Sequence, residues 1–161
     1  MTRQPATVRK KRIYAVVAVI LAIILLCGIG CAVYVSDYCH AEEKTAQAMA
    51  SDDHVTVSDA GDGVLLFLPN DPKAGLIFYP GGKVDYTAYA PLMRTCAQRG
   101  ILCVLLKMPW NLAVLDVNAA DGITERCPEI DVWYLGGHSL DGAMAANYAA
   151  NRNNLPPILL R

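Results

Sequence analysis

Residues Ile13–Val35, IYAVVAVILAIILLCGIGCAVYV, contain no charged side chain. A run of about 23 such residues, wound as a helix rising ~1.5 Å per residue, is long enough to cross a hydrocarbon core of ~30 Å. This segment sets the first constraint: one helix is expected to span a bilayer, and its length and flanks are subtracted before the soluble domain is counted. Arg3, Arg9, Lys10, Lys11 and Arg12 precede the run, and Asp37, Glu42 and Glu43 come after it. Basic residues stay on the cytoplasmic side, so the expected topology is single-pass, with residues 1–12 cytoplasmic, residues 13–35 transmembrane and everything after them extracytoplasmic. Tyr14 and Tyr34 stand at the two ends, where amphipathic rings favour the headgroup level. Two other readings compete. A cleaved secretory signal has an apolar region of only about 7–15 residues, shorter than this one. Gly28-Ile29-Gly30-Cys31 loosely resembles a lipoprotein cleavage site, but lacks the Leu usual at its first position. All three readings export the rest of the chain.

With the anchor removed, about 110–120 residues remain for a domain. The net charge of −1 and a charged fraction of 18% provide no basic or acidic field, which argues against nucleic acid or another polyanion as a partner. Six cysteines occur, Cys27, Cys31, Cys39, Cys96, Cys103 and Cys127, and no two of them have metal-ligand spacing. Cys96 and Cys103 lie in apolar surroundings and are read as core residues. An exported domain permits disulfides, and the spacing leaves their pairing open.

Residues 36–53 turn polar and alanine-rich, with AEEKTAQAMA made of good helix formers, and are expected to form a short helical stalk. His54–Ser58 and Gly63–Leu68 are β-rich runs separated by a Gly-rich turn, the pattern of an antiparallel hairpin. From there short apolar strands alternate with helical segments. Leu76–Tyr79, Ile101–Leu106 and Val132–Leu135 read as strands, Tyr86–Arg99, Asn111–Cys127 and Asp141–Asn151 as helices, and Pro156–Arg161 as the start of a further strand. Continuous apolar strands joined by helices imply a buried parallel sheet with right-handed crossovers.

Between the strand ending at Leu135 and the helix after it lies Gly136-Gly137-His138-Ser139-Leu140-Asp141-Gly142. A serine on a sharp strand-to-helix turn is lifted above the sheet edge with its hydroxyl exposed, and its flanking residues must be small where backbone passes close. The helix that starts there offers free N–H groups and the positive end of its dipole, a suitable place for a developing oxyanion. GGHSLDGAMAANYAA resembles the nucleophile-elbow segment GHSLGG of the α/β-hydrolase family. Tyr79-Pro80-Gly81-Gly82-Lys83-Val84 looks like that family's loop after its third strand, within a subgroup of small exported members that carry YPG in place of HGG. The resemblance covers about residues 55–161.

It implies a fold class of α/β: a mostly parallel α/β-hydrolase-like sheet with an N-terminal antiparallel hairpin, incomplete within this chain, preceded by one transmembrane helix. Residues 54–161 would be the N-terminal part of that domain. It further implies a serine hydrolase acting on a small-molecule ester or related acyl bond. Ser139 would be the nucleophile, with Leu140 and either Gly82 or Lys83 as oxyanion donors, and Gly137, His138, Asp141 and Gly142 would complete the elbow. Neither cofactor nor metal is needed, and beyond the substrate the one expected partner is the lipid bilayer.

Two departures stand out. Asp141 occupies the second glycine of G-x-S-x-G and sets a carboxylate beside the place where negative charge would develop. The family's acid and catalytic histidine come after later strands, in the order serine, acid, histidine, so they are expected beyond Arg161. Of the histidines here, His40 is in the stalk, His54 in the hairpin, and His138 adjoins the serine with its side chain directed elsewhere. A serine hydroxyl without a base is a weak nucleophile, so a second reading is an inactive fragment or pseudoenzyme that keeps the fold as a binding module. A half-sheet with an open edge would also favour association or poor stability. Lys107 and Trp110, at a strand end, line a pocket or cap it, and Tyr86, Tyr89 and Met93 share a helical spacing of core or groove residues.

Overall fold

The computed structural model describes residues 6–41, 44–152 and 159–160. The chain divides into two compact units, Met1–Asp37 and Tyr38–Arg161. The first is a single helix, α1 (Ala6–Ser36). Its segment Lys10–Ser36 is long and apolar enough to cross a membrane, and its side chains are exposed from Lys10 to Tyr34.

The second unit is built on a mixed sheet. Its elements are α2 (Lys44–Ala48), β1 (Val55–Asp59), β2 (Val64–Pro69), β3 (Ala74–Tyr79), α3 (Ala90–Ala97), β4 (Ile101–Leu106), α4 (Ile123–Arg126), β5 (Trp133–Gly137), α5 (Ser139–Ala150) and β6 (Leu159–Leu160). The strand order is β1-β2-β4-β3-β5-β6. β1 and β2 form the expected antiparallel hairpin, with Val55 opposite Pro69 and Asp59 opposite Leu65. β2 joins β4 antiparallel, while β4, β3, β5 and β6 run parallel. Of the strand expected over Pro156–Arg161, Leu159 and Leu160 are in β6 and the rest lies outside the described residues.

The continuous apolar character of β4 has a direct cause: both of its faces are covered. Leu102, Val104 and Leu106 point into one core with Ile77, Tyr79, Leu135 and, from α5, Ala145 and Tyr148. Cys103 and Leu105 point into the other, with Phe67, Phe78 and, from α3, Ala90, Met93 and Ala97. Each large side chain so buried contributes about 1.5–3 kcal/mol relative to exposure. The two helices lie on opposite faces because the chain steps from β3 to β4 in one direction and from β5 to β6 in the other, and right-handed crossovers then demand opposite sides. Strand β3 is therefore the point where the order reverses, and in open α/β sheets ligands bind beyond the C-terminal strand ends at such a point.

Two segments differ from expectation. Among the described residues between α1 and β1, helix is confined to α2, which is not a free spacer: Thr45 and Ala48 are buried, and Ala48 joins the core around Met93. The Arg94 guanidinium donates to the Ala48 and Ala50 carbonyls, at 3.0 and 2.6 Å, and pairs with Asp52. The helix expected over Asn111–Cys127 is instead a chain of 3-10 turns at Pro109–Asn111 and Ala113–Leu115, followed by the four-residue α4. Trp110 and Asn111 have φ of 53° and 55°, and Gly122 has 73°, all incompatible with a continuous right-handed helix. Long-range contacts hold this path. The Tyr79 hydroxyl donates to the Val117 carbonyl at 2.8 Å and accepts from the Ala120 N–H at 3.2 Å.

Candidate active site

The loop after β3 and the turn after β5 meet because these strands pair in parallel, with Tyr79 opposite Gly137. The ladder runs one step further, as the His138 N–H donates to the Tyr79 carbonyl at 3.1 Å. The chain then turns abruptly into α5, whose first residue is Ser139. Ser139 has φ of 55°, in the left-handed region where a residue with a side chain is strained. It is exposed, and its Oγ has no hydrogen-bond partner among the described residues. The turn tolerates only glycine behind it: a Cβ on Gly137 would sit 2.7 Å from the Gly142 Cα and 3.2 Å from the Tyr79 Cβ.

Leu140, in the first turn of α5, has no residue four positions back within the helix to accept from its N–H, which therefore remains available for an incoming group. The two loop candidates part company. The Lys83 N–H donates to the Asn111 carbonyl at 2.8 Å, whereas the Gly82 N–H has no partner among the described residues.

A link between loop and elbow was not legible in the spacing. The Tyr89 hydroxyl accepts from the Gly81 N–H at 3.0 Å and lies 2.9 Å from His138 Nδ1. Donation from the phenol, which already accepts from Gly81, would leave the neutral imidazole proton on Nε2, whereas acceptance from Nδ1–H would leave it on Nδ1. Both groups press on Gly81, where a Cβ would come within 2.6 Å of each. Burial is the main cause that raises the Tyr89 phenol above its ordinary value. Tyr89 thus does more than line a groove, but nothing local connects residues 81, 89 and 138.

Asp141 is fully buried, and does not project into solvent beside the serine. Oδ2 accepts from the Ala113 N–H at 3.0 Å, and Oδ1 has no partner. Burial pushes the carboxyl above its ordinary value, and the bond from Ala113 opposes that only partly. Oδ1 lies toward the loop after β3: a Cβ on Gly82 would be 3.5 Å from it. Residues 111–113 therefore bridge the site, taking Lys83 through one carbonyl and giving one N–H to Asp141. Lys107 Nζ lies over the Tyr86 ring at 5.8 Å, and Trp110 is 67% exposed. His40 and His54 make no hydrogen bond to Ser139. Among the described residues no three His, Cys, Asp or Glu side chains gather where a metal ion could sit.

Residues 75–160, just over half of the chain, match the sequence model of the alpha/beta hydrolase family. The chain belongs to this family. Among solved structures, the α/β-hydrolase fold of this chain is similar to TT1662 from Thermus thermophilus, with a TM-score of 0.58 and 19% identity over 66% of this chain and 56% of that one. It is also similar to a highly thermostable carboxyl esterase from Bacillus coagulans, solved in complex with glycerol, with a TM-score of 0.52 and 14% identity over 66% of this chain and 43% of the esterase. At these identities the likeness is one of fold, and the chain spans about half the length of either protein. No curated protein sequence matches it.

Proposed function

We propose that this α/β-hydrolase is a membrane-anchored serine hydrolase in which the Ser139 hydroxyl attacks an ester or related acyl bond of a small-molecule substrate. The observation that carries the reading is the φ of 55° at Ser139, on a strand-to-helix turn that glycine alone permits at position 137. A strained turn of this kind persists where it has a use, and here its effect is to present one exposed hydroxyl above the end of β5. As Oγ bonds to the acyl carbon, negative charge would develop on the carbonyl oxygen. The Leu140 N–H at the start of α5 and the Gly82 N–H from the loop are the donors available to receive it. His138 is not assigned the base, because Nδ1 is occupied by Tyr89. A base and its orienting acid would have to come from outside the residues described.

The anchor reading rests on α1 and the charges that flank it. Basic residues before the helix and acidic ones after it favour a cytoplasmic N-terminus and an extracytoplasmic domain. Protease digestion of intact cells is expected to remove the domain while sparing the N-terminus, and a protected domain would reverse that topology.

A second reading, a non-catalytic binding module, is favoured by Asp141. A carboxylate with an unpaired oxygen beside Gly82 opposes the anionic intermediate of acyl transfer. Labelling of the full chain in detergent with a fluorophosphonate probe, beside Ser139→Ala, separates the two. Labelling lost in the variant supports hydrolysis, and no labelling of folded protein supports the binding module.

A further inference from the structure

Trp110, Val114, Leu115 and Leu140 are large apolar side chains, each at least half exposed, on the two segments that meet at the serine turn. Leu140 follows Ser139, and the other three stand on the segment after β4. None of them belongs to either core, so the packing of the domain does not account for them. That segment is held against the site. The Asn111 carbonyl accepts from the Lys83 N–H at 2.8 Å, the Ala113 N–H donates to Asp141 at 3.0 Å, and a Cβ on Gly82 would meet Leu112 at 3.5 Å and Leu140 at 3.7 Å. An apolar rim therefore borders the exposed Ser139.

The same loop is tied to the chain that leaves the apolar helix. The Cys39 N–H donates to the Lys83 carbonyl at 2.9 Å, and the Asp85 N–H donates to the Cys39 carbonyl at 2.8 Å. Lys83 thus joins Cys39 through its carbonyl and Asn111 through its N–H, and one hydrogen-bonded series runs from residue 39 to the rim. Only Asp37 and Tyr38 separate Cys39 from Ser36, the last residue of α1. Three residue steps of at most ~3.6 Å keep Cys39 within about 11 Å of Ser36. The headgroup layer on one side of a bilayer is itself roughly 5–8 Å thick. A membrane-spanning α1 therefore leaves this loop no length of chain with which to stand far from lipid.

We propose that Trp110, Val114, Leu115 and Leu140 form a membrane-docking rim, which seats in the headgroup boundary of the bilayer that holds α1 and opens the Ser139 site toward lipid. The proposal rests on the anchor reading and requires no hydrolysis. An indole suits this depth, with an apolar ring for the acyl boundary and an N–H for the wet side. The three aliphatic side chains enter beside it as an interfacial surface does, to about 5–10 Å.

The chain has two tryptophans, and Trp133 is buried in the core, so quenching by lipid reports on Trp110. The full chain would be reconstituted into phosphatidylcholine vesicles with and without bromine on the acyl chains. Trp110 emission is expected to be quenched by bromines placed high on the chains and much less by bromines near the chain ends, and the quenching should vanish in Trp110→Phe. Leu115→Asp, at an exposed position outside both cores, should weaken it while the chain still resists extraction by alkaline carbonate. Equal emission from brominated and plain vesicles, in chain that resists extraction, would overturn the rim and leave the anchor standing. Quenching that survives in Trp110→Phe, or is unchanged by Leu115→Asp, would overturn it as well. An indole shielded from both bromines and aqueous acrylamide would assign the face to a protein partner instead of lipid. Release of the chain by carbonate would overturn the anchor, and the rim with it.

Discussion

Replacing Asp141 by Asn is expected to stabilise the domain at neutral pH and to lose that advantage in acid. The carboxyl is fully buried with one oxygen bonded to the Ala113 N–H and the other without a partner. Asn retains an oxygen for Ala113 and removes the charge, while the neutral amide is less unfavourable to bury. An unpaired buried polar group is destabilising by about 1–3 kcal/mol, more when charged. Taking about 2 kcal/mol, and a shift of roughly 4 °C per kcal/mol for a domain of this size, the melting temperature should rise by about 8 °C at pH 7. The pH dependence has a definite sign. Burial raises the carboxyl in the folded protein above its value of 3.8 in the unfolded chain, so the folded state binds the proton more tightly. The penalty is therefore complete above the folded value, shrinks as pH falls through it, and is gone below 3.8. Thermal melts followed by circular dichroism at pH 7 and pH 3 test both halves. Equal melting temperatures at pH 7, or a gain just as large at pH 3, would refute the reasoning. Asp141→Gly should stabilise less than Asn despite restoring the family's elbow, since it strands the Ala113 N–H and places Gly within a helix, a change unfavourable by ~1 kcal/mol.

Other outcomes rest on single contacts. Gly137→Ala forces a methyl to 2.7 Å from the Gly142 backbone, where no flexible side chain can yield, so urea unfolding should show a loss of at least ~1–3 kcal/mol together with loss of any probe labelling at Ser139. Tyr89→Phe leaves the buried Gly81 N–H without its acceptor and is expected to destabilise by about 1–3 kcal/mol in the same assay. Asp52, which accepts from the His54 and Val55 N–H groups and pairs with Arg94, should titrate at about 2 by carboxyl NMR, and an ordinary midpoint would mean those bonds are absent in solution. Arg94→Ala removes the donors that hold Ala48 and Ala50, so hydrogen exchange should accelerate in residues 45–52 while β3 and β4 stay protected.

What the linear sequence disclosed was governed by short-range physics. The alternation of Val55–Leu68 about its Gly-rich turn, the two-faced apolar run of β4, and the small residues around Ser139 each encode their own geometry, and the strands, hairpin and turn appear where they were expected. The segment 111–127 misleads because its helix-forming residues are overruled from a distance, by the Tyr79 hydroxyl and the Asp141 carboxylate. Residues 38–52 mislead similarly: an alanine-rich, charged string looks solvated until Arg94, more than forty residues later, gathers its carbonyls. The same holds within the site. The turn at Ser139 and Gly137 was legible because turn chemistry is local, whereas the bond that takes the Lys83 N–H depends on the Asn111 carbonyl, and the Tyr89–His138 contact joins residues far apart in the chain. Asp141 was visible as a departure, but its burial was not.

The reversal of strand order at β3 has a consequence for how such a protein can change over generations. The step from β4 to β5 must pass over an intervening strand, so the segment after β4 is a strap whose length the sheet does not fix. It reaches the serine turn and its facing loop at residues 111–113, through one carbonyl and one N–H supplied by backbone. Backbone contacts are indifferent to side-chain identity. Exposed side chains along it, Val114, Leu115, Asp116 and Asn118, are thus free to drift and remodel whatever surrounds a bound molecule, while Val117, Ala120 and Ile123 remain tied to Tyr79 and the core.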